Sequence, residues 1–213
     1  IKKEYIVKWI KFSWLTLYPA LGGVILFLDV AIFSIITESV IGLAFWTASL
    51  AITTLIVNSG HISIAVYSKI LQGKETKFMT DSLRHLFYFS ILFTALVITF
   101  AKPGLFALNP IYQGAATIVI FISIKSFLTT INKVFFQSLQ GMENVDIKEE
   151  STFQDYLKSK LMWFPTFEII RHGVYIIILF LMLNVLISED KSEFELVLYW
   201  AIIGLIVEIP LPI

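Results

Sequence analysis

Six long apolar segments, separated by short polar stretches, are the feature that most limits how this chain can fold. A helix needs about 20 apolar residues to cross the hydrocarbon core of a bilayer, and these segments have lengths close to that. Hydrophobic residues make up 57% of the 213 residues and charged residues only 15%, against about 25% in ordinary globular domains. The sequence therefore predicts an all-α polytopic membrane protein with six transmembrane helices, at about residues 12–36, 41–67, 83–108, 115–139, 162–187 and 196–213.

The remaining composition excludes several classes of function. Basic and acidic residues number 16 each, so no basic surface for nucleic acid is expected. Cysteine is absent, which removes disulfides, thiol catalysis and cysteine-bound metals. The three histidines are scattered without metal-ligand spacing, and no phosphate-binding glycine loop or nucleophile motif is present. We therefore expect a protein that is not an enzyme and that needs no metal and no cofactor.

The distribution of lysine and arginine between the predicted loops gives an orientation. Most of them lie in the amino-terminal segment and in the second and fourth loops, which six spans place on one side of the membrane. The opposite side carries only Lys102 and Lys191. Because basic loops stay in the cytoplasm, the sequence predicts a multi-pass protein of the cell membrane with a cytoplasmic amino end.

Charged residues inside the predicted spans are the strongest functional signal. Each charge at the centre of a span costs roughly 2.5–3.5 kcal/mol on insertion scales, so it usually faces a partner or a polar cavity. Compensation in pairs is one interpretation, and Glu168 and Arg171 are close enough along one helix to form such a pair. The other interpretation is a site for an anionic headgroup, because arginine and lysine bind phosphate well. The charges are three basic and three acidic residues: Lys125, Lys133, Arg171, Asp29, Glu168 and Glu208.

Three uncharged or weakly basic residues join these charges as candidate polar or ion-coupling groups of the membrane interior. Asn132 follows Lys125 by seven residues, so both lie on one face of the fourth span. His172 follows Arg171 in the fifth span, and His61 ends a polar cluster that begins at Asn58 and predicts a bend. The acidic candidates for coupling are Asp29, Glu168 and Glu208. No residue is proposed as catalytic.

Helix geometry gives two expectations for how these residues meet. The fourth and fifth spans are expected to pack as an antiparallel pair in which Lys133 and Glu168, each roughly 10 Å deep, contact each other. Lys125 lies roughly 16 Å deep, near the middle of a ~30 Å core, which is too deep to reach the interface easily. Lys125 is therefore expected either to face a transport cavity and bind phosphate, or to pair with an acid on another span.

Smaller features predict local structure. Pro19 and the pair Gly22-Gly23 predict a kink or a close helix contact in the first span. Ser151 to Gln154 resembles a capping box, so a short helix is expected to start in the fourth loop. The acidic residues of that loop are mixed with lysines, which favours a solvated surface.

Three stretches resemble polysaccharide and lipid-linked oligosaccharide flippases of the multidrug/oligosaccharidyl-lipid/polysaccharide superfamily, with archaeal members the most similar. They are WLTLYPALGGVILFLDVAIF (14–33), ISIAVYSKILQGKE (62–75) and NPIYQGAATIVIFISIKSFLTTINKVFFQSLQGMENVD (109–146), with DYLKSKLMWFPTFEIIRHGVYII (155–177) adding to them. The likeness covers nearly the whole chain through loose patterns, without an invariant signature.

The resemblance implies a fold and a substrate. Members of that superfamily have 12 to 14 spans in two lobes around a central cavity, so six spans would form one lobe. The missing second lobe would then be a partner, and the chain, which starts at Ile1 and ends in an apolar run, is expected to be part of a longer protein. The implied activity is flipping by alternating access. The transporter would move a polyprenyl or dolichyl (di)phosphate-linked glycan from the cytoplasmic leaflet to the outer leaflet of the surrounding membrane lipid. Lys125, Lys133 and Arg171 are candidates for phosphate binding by position only.

Three other functions stay open from the sequence. A multidrug or cation exporter of the same superfamily would use acidic residues, so Asp29, Glu168 and Glu208 would then carry the function. A non-transporting membrane scaffold would pair all of its buried charges. A membrane-bound glycosyltransferase would need a catalytic acid at a membrane face, and only the fourth loop offers one.

Overall fold

The computed structural model describes residues 3–63, 76–141 and 158–209, and within these ranges the chain is helical without a β-strand. The predicted all-α class is therefore confirmed for the described residues. Their α-helices, in chain order, are α1 (Lys3–Thr37), α2 (Val40–Ser59), α3 (Thr76–Thr99), α4 (Ala101–Leu108), α5 (Ala116–Gly141), α6 (Lys160–Ser188) and α7 (Glu193–Glu208). Short 3₁₀ helices at Gly60–Ser63 and Pro110–Ala115 follow α2 and precede α5.

Four of the described helical segments are long and apolar enough to cross a membrane: Ala20–Thr37, Val40–Ser59, Pro110–Lys133 and Met162–Ser188. A fifth candidate is the bent pair formed by Leu83–Thr99 and Ala101–Leu108. These helices indicate a membrane-embedded protein. Helix α7 has 16 residues, and the last part of the predicted sixth span lies outside the described residues. Six spans and a two-lobed fold therefore remain predictions.

The third predicted span is bent by 66° at Phe100, which the sequence analysis did not anticipate. Proline has no backbone N–H, so Pro103 cannot donate the helical hydrogen bond to the carbonyl of Thr99. Helix α3 ends at Thr99, and α4 restarts two residues later with the N–H of Gly104 donating to the carbonyl of Phe100 at 2.8 Å. Pro103 therefore accounts for the position of the break.

In the second predicted span, 41–67, the structure has an α-helix that ends at Ser59 and a 3₁₀ helix that runs from Gly60 to Ser63. The expected bend at Asn58–His61 corresponds to the change from α2 to a 3₁₀ helix at Gly60. We expected the polar groups of this cluster to satisfy one another, but the Ser59 hydroxyl is 2.8 Å from the hydroxyl of Ser90 on α3. The cluster is therefore tied to the third span. Residues 64–67 and the proposed capping box at 151–154 lie outside the described residues.

Helix α5 is central, since it contacts α2, α3 and α7. Helix α7 connects this group to α6, and α6 packs chiefly against α1. The buried indole ring of Trp200 on α7 stacks on Trp46 of α2 at 3.8 Å and on Phe33 of α1 at 4.6 Å between ring centroids. Trp200 therefore joins three helices in the core.

Helices α1 and α6 are in contact at Gly22, which faces α6. A Cβ atom at Gly22 would be 3.7 Å from His172 and 3.8 Å from Glu168, which is ordinary van der Waals distance. The Tyr18 and Thr166 hydroxyls also hydrogen-bond across this interface at 2.7 Å. The predicted close helix contact at the paired glycines is thus present at Gly22.

The expectation that the fourth and fifth spans form an antiparallel pair is wrong as a description of their main packing. Helices α5 and α6 touch each other at few positions, and both contact α7 instead. Sequence adjacency favoured the direct pair, but α7 presents an almost wholly apolar surface that both neighbours can bury. This arrangement decides which charged residues meet.

A capping box begins α7. The Ser192 hydroxyl and backbone N–H donate to the Glu195 carboxylate at 2.8 and 3.0 Å, and these hydrogen bonds lower the pKa of Glu195. Because the folded pKa is lowered, the stabilisation exists above the ordinary pKa of glutamate and is lost as the pH falls through the lowered value. The cap fixes where α7 starts.

Replacing Gly42 by alanine is expected to destabilise the protein by roughly 1–3 kcal/mol, the range for overpacking a core. A Cβ atom at position 42 would lie 2.9 Å from the ring of Phe33, which is fully buried and stacked on Trp200. Phe33 therefore has no room to move away. Unfolding in detergent, followed by circular dichroism, measures the effect.

Gly173→Ala is the matched control, because a Cβ atom at Gly173 meets nothing within 4 Å inside α6. Alanine is the better helix former, so this variant should be as stable as the wild type or slightly more so. Equal stability of the Gly42→Ala and Gly173→Ala variants would contradict the packing described for Phe33.

Candidate functional site

Five polar residues from four helices come together in the interior and form what we call the charge cluster. Asp29 comes from α1, Lys125 from α5, Arg171 and Tyr175 from α6, and Glu208 from α7. The ammonium of Lys125 lies 5.4 Å from the centre of the Tyr175 ring. Asp29, Glu208 and Arg171 are all close enough to act electrostatically on Lys125. The four formal charges of the cluster balance.

Helical spacing explains part of this convergence. Arg171 and Tyr175 are four residues apart and so share one face of α6. Gly204 and Glu208 have the same spacing on α7, the helix that contacts both α5 and α6. The cluster therefore extends along α6 and α7 over about one helical turn.

Asp29 is held by hydrogen bonds. Its carboxylate accepts from the Tyr175 hydroxyl at 2.9 Å and from the N–H of Val30 at 2.7 Å. The Trp200 indole N–H in turn donates to the Tyr175 oxygen at 2.8 Å. This chain links α1, α6 and α7 around a carboxylate that is only 5% exposed.

Sequence reasoning missed Tyr175 and Trp200. Both carry a polar atom on a large apolar ring, which suits a buried hydrogen bond beside a carboxylate. The four-residue spacing between Arg171 and Tyr175 was the one signal available for Tyr175. No comparable signal pointed to Trp200.

Lys125 reaches the cluster past Gly204 of α7. A Cβ atom at Gly204 would lie 3.0 Å from the Lys125 Nζ atom and 3.4 Å from its Cδ atom. The ion pairs among the described residues are Arg171–Glu208 and Lys191–Glu189. Lys125 therefore has carboxylates nearby but, within the described ranges, none in direct contact.

Arg171 and Glu208 form an ion pair between α6 and α7, with 3.2 Å between Nη1 and Oε2. The Arg171 side chain is 24% exposed and the Glu208 side chain 5%. Asn132 of α5 donates from its side-chain amide to the backbone carbonyl of Glu208 at 3.2 Å. Asn132 thus satisfies a carbonyl at the end of α7 that has no partner within the helix.

Two predicted pairs are therefore not direct contacts. Arg171 is paired with Glu208, and Glu168 interacts with it only electrostatically. Lys133 is exposed. It interacts electrostatically with Glu168 but forms no ion pair in the described part of the chain. Lys133 and Glu168 fail to touch because α5 and α6 are not each other's main packing partners.

The two candidate histidines lie outside the cluster. His61 is exposed in the 3₁₀ helix after α2. His172 is buried, and its Nδ1 atom donates to the Gly22 carbonyl at 2.9 Å, which supports the contact between α1 and α6. In the described ranges, no group of three histidine, aspartate or glutamate side chains could bind a metal ion.

We expect the Gly204→Ala substitution to displace the Lys125 ammonium at a cost of about 1 kcal/mol, the lower end of the range for overpacking, because the atom that must move is the end of a flexible side chain. The added methyl group would stand 3.0 Å from Nζ, which must then move away from the Tyr175 ring. Unfolding in detergent measures the cost. When Gly204→Ala is instead made in a Lys125→Ala protein and compared with Lys125→Ala alone, the substitution should be neutral or slightly stabilising, because alanine is the better helix former. The same cost in both backgrounds would contradict the contact.

Comparisons with protein-family models, with curated proteins and with solved structures gave no match. The function therefore has to be argued from the charge cluster itself.

Proposed function

We propose that this chain is the helical lobe of a membrane transporter that moves a phosphate-bearing, lipid-linked glycan between leaflets, with Lys125 binding the phosphate. The observation that carries the proposal is the position of the Lys125 ammonium. It lies in a candidate membrane-spanning helix, beside the Tyr175 ring, and no described carboxylate contacts it. A lysine that served only to compensate an acid would be expected to contact that acid.

Asp29 is the acid whose charge acts most strongly on Lys125. The Tyr175 hydroxyl and the Val30 N–H each donate to one oxygen of its carboxylate and so hold the carboxylate in its position on α1. Lys125 can therefore donate to a further acceptor while Asp29 lowers the cost of its charge. A phosphate oxygen is a suitable acceptor, because charge-assisted hydrogen bonds are the stronger ones.

Alternating access requires helices that change shape or tilt, and two features of the fold are suited to it. The third span is already broken at Phe100, where α3 and α4 meet at 66°. Helix α1, which carries Asp29, packs chiefly on α6 and so can move with it as a pair. The cytoplasmic amino end, the location in the cell membrane and the second lobe around a shared cavity belong to this proposal.

A flipping assay tests the proposal. The intact protein, with both lobes, is reconstituted into vesicles with a fluorescently labelled polyprenyl diphosphate oligosaccharide, and a membrane-impermeant quencher reports how much label reaches the outer leaflet. Loss of nearly all the fluorescence is expected, against loss of only the outer-leaflet share in empty vesicles. Labelled phosphatidylcholine, which tests general leakiness, should behave as in empty vesicles. Equal quenching with and without the protein would refute the proposal.

A second function is favoured by the burial of the acids. Asp29 and Glu208 are 5% and 4% exposed, and buried carboxylates in a membrane suit the binding of protons or other cations. In that case the chain would be part of a cation-coupled exporter. Extrusion of a cationic dye, driven by a proton or sodium gradient in the same vesicles, would distinguish this function from phosphate-lipid flipping.

A further inference from the structure

The ion pair between Arg171 and Glu208 is incomplete for a buried pair. Only one guanidinium nitrogen, Nη1, is within 3.2 Å of the carboxylate. The Arg171 Nε atom and the Glu208 Oε2 atom are both buried without a hydrogen bond among the described residues. A buried ion pair offsets its desolvation only when geometry and hydrogen bonding are good, so this pair is weakly stabilised.

A phosphate group would fit Arg171 better than Glu208 does in this geometry. Phosphate oxygens can accept from Nε and from an Nη atom at the same time, in the two-pronged arrangement that guanidinium favours. Such binding would satisfy the Nε atom that Glu208 leaves without a partner.

Glu208 is also placed to act on both basic residues of the charge cluster. It forms an ion pair with Arg171 and interacts electrostatically with Lys125. Its backbone carbonyl accepts from the Asn132 amide, so the end of α7 is held by a hydrogen bond that does not involve the Glu208 carboxylate.

We propose that Glu208 is a built-in counter-anion that occupies Arg171 when no ligand is present and competes with the phosphate group of the substrate. The inference rests on the proposed function and adds its regulation. Without ligand, Glu208 neutralises Arg171 inside the membrane. With ligand, the phosphate spans Arg171 and Lys125 and displaces the carboxylate. The ligand class is a mono- or diphosphate, either free or as the headgroup of a lipid.

The test compares binding of two probes, inorganic diphosphate and geranyl diphosphate, to the whole chain in nanodiscs. Glu208→Gln keeps the shape of the side chain and removes its charge. Its affinity should rise about tenfold or more, because apparent affinity is reduced by the fraction of molecules whose site is blocked.

Arg171→Lys keeps the charge but loses the two-pronged geometry, so it should bind more weakly than the wild type. Glu193→Gln, on the first turn of α7 and outside the cluster, is the matched control and should bind as the wild type does.

The outcomes show whether the counter-anion role of Glu208 fails alone or together with the proposed function. A gain with both probes supports recognition of the phosphate itself, and a gain with geranyl diphosphate alone identifies a lipid headgroup. Measurable wild-type binding that Glu208→Gln leaves unchanged or weakens would overturn the counter-anion role and leave the proposed function standing. If neither probe binds to any variant, phosphate recognition fails and both proposals fall.

A second variant covers the case in which Glu208→Gln does not fold. Glu208→Asp keeps the negative charge but withdraws the carboxylate by one methylene, so it should bind diphosphate more tightly than the wild type, though less tightly than Glu208→Gln. Wild-type affinity in a folded Glu208→Asp variant would overturn the inference.

Discussion

Replacing Lys125 by glutamine should abolish flipping of a phosphate-linked lipid while the protein still inserts into the membrane. Truncating one partner of a buried charge pair costs roughly 2–5 kcal/mol, which corresponds to a loss of about 400-fold in rate near the middle of that range. Glutamine is one atom shorter than lysine and keeps part of its hydrogen-bonding capacity, but it carries no charge. The initial rate of quenching in vesicles, normalised to the amount of reconstituted protein, measures the effect.

The control for this experiment is Lys102→Gln. Lys102 is an exposed lysine on α4, outside the charge cluster, so its loss should leave the flipping rate at the wild-type level. Normal flipping by Lys125→Gln would remove Lys125 from the mechanism.

The second large effect is expected on stability, and it should differ between the two partners of the Arg171–Glu208 ion pair. Arg171→Gln should lower the free energy of unfolding by about 3–5 kcal/mol, because it leaves a buried carboxylate without a counter-charge. Glu208→Gln should cost less, since the Arg171 side chain is 24% exposed and the Glu208 side chain only 5%. Titration with a denaturing detergent, followed by circular dichroism, compares the two variants.

The Arg171→Gln and Glu208→Gln double variant provides the check on that asymmetry. With both charges gone, its stability should recover most of what Arg171→Gln loses. Two results would contradict the described ion pair as the cause of these losses of stability. One is a larger loss in Glu208→Gln than in Arg171→Gln, and the other is a loss in the double variant equal to the sum of the two single losses.

The apolar runs predicted the helices well because length and hydropathy decide membrane insertion locally. The helix at 162–187 matches α6, and the run at 115–139 matches α5 to within two residues at each end. The bend in the third span was not predicted, although its cause is local. That cause is Pro103, which cannot donate a hydrogen bond to the carbonyl four residues earlier and so breaks the helix at that point.

Partners across helices could not be predicted from the sequence. Spacing along one helix fixes which residues share a face, so it favoured Glu168 for Arg171. Which acid on another helix comes near is decided by how the helices pack, and here α7 carries Glu208 to Arg171. The same dependence explains why Lys133 and Glu168 do not form an ion pair within the described ranges.

The uncharged residues that surround the charge cluster could not be recognised from the sequence. Gly204 matters because a Cβ atom at this position would lie 3.0 Å from the Lys125 Nζ atom, a closeness that arises only when the helices pack. Trp200 matters because its indole N–H ends a hydrogen-bonded chain that starts at Asp29. In the sequence both stand within an unremarkable apolar run.

The neutral double variant Lys125→Met with Asp29→Asn tests most directly whether the charge cluster serves transport as well as folding. Methionine fills the path of the lysine side chain, and asparagine can still accept from the Tyr175 hydroxyl. Replacing interacting buried charges by neutral groups of similar volume is often neutral for stability, so the free energy of unfolding should stay near that of the wild type. Flipping of the labelled diphosphate lipid should nevertheless remain at the level of empty vesicles. Wild-type flipping in this stable variant, which lacks the charges of Lys125 and Asp29, would contradict the account, because these two charges would then serve only to hold the helices together.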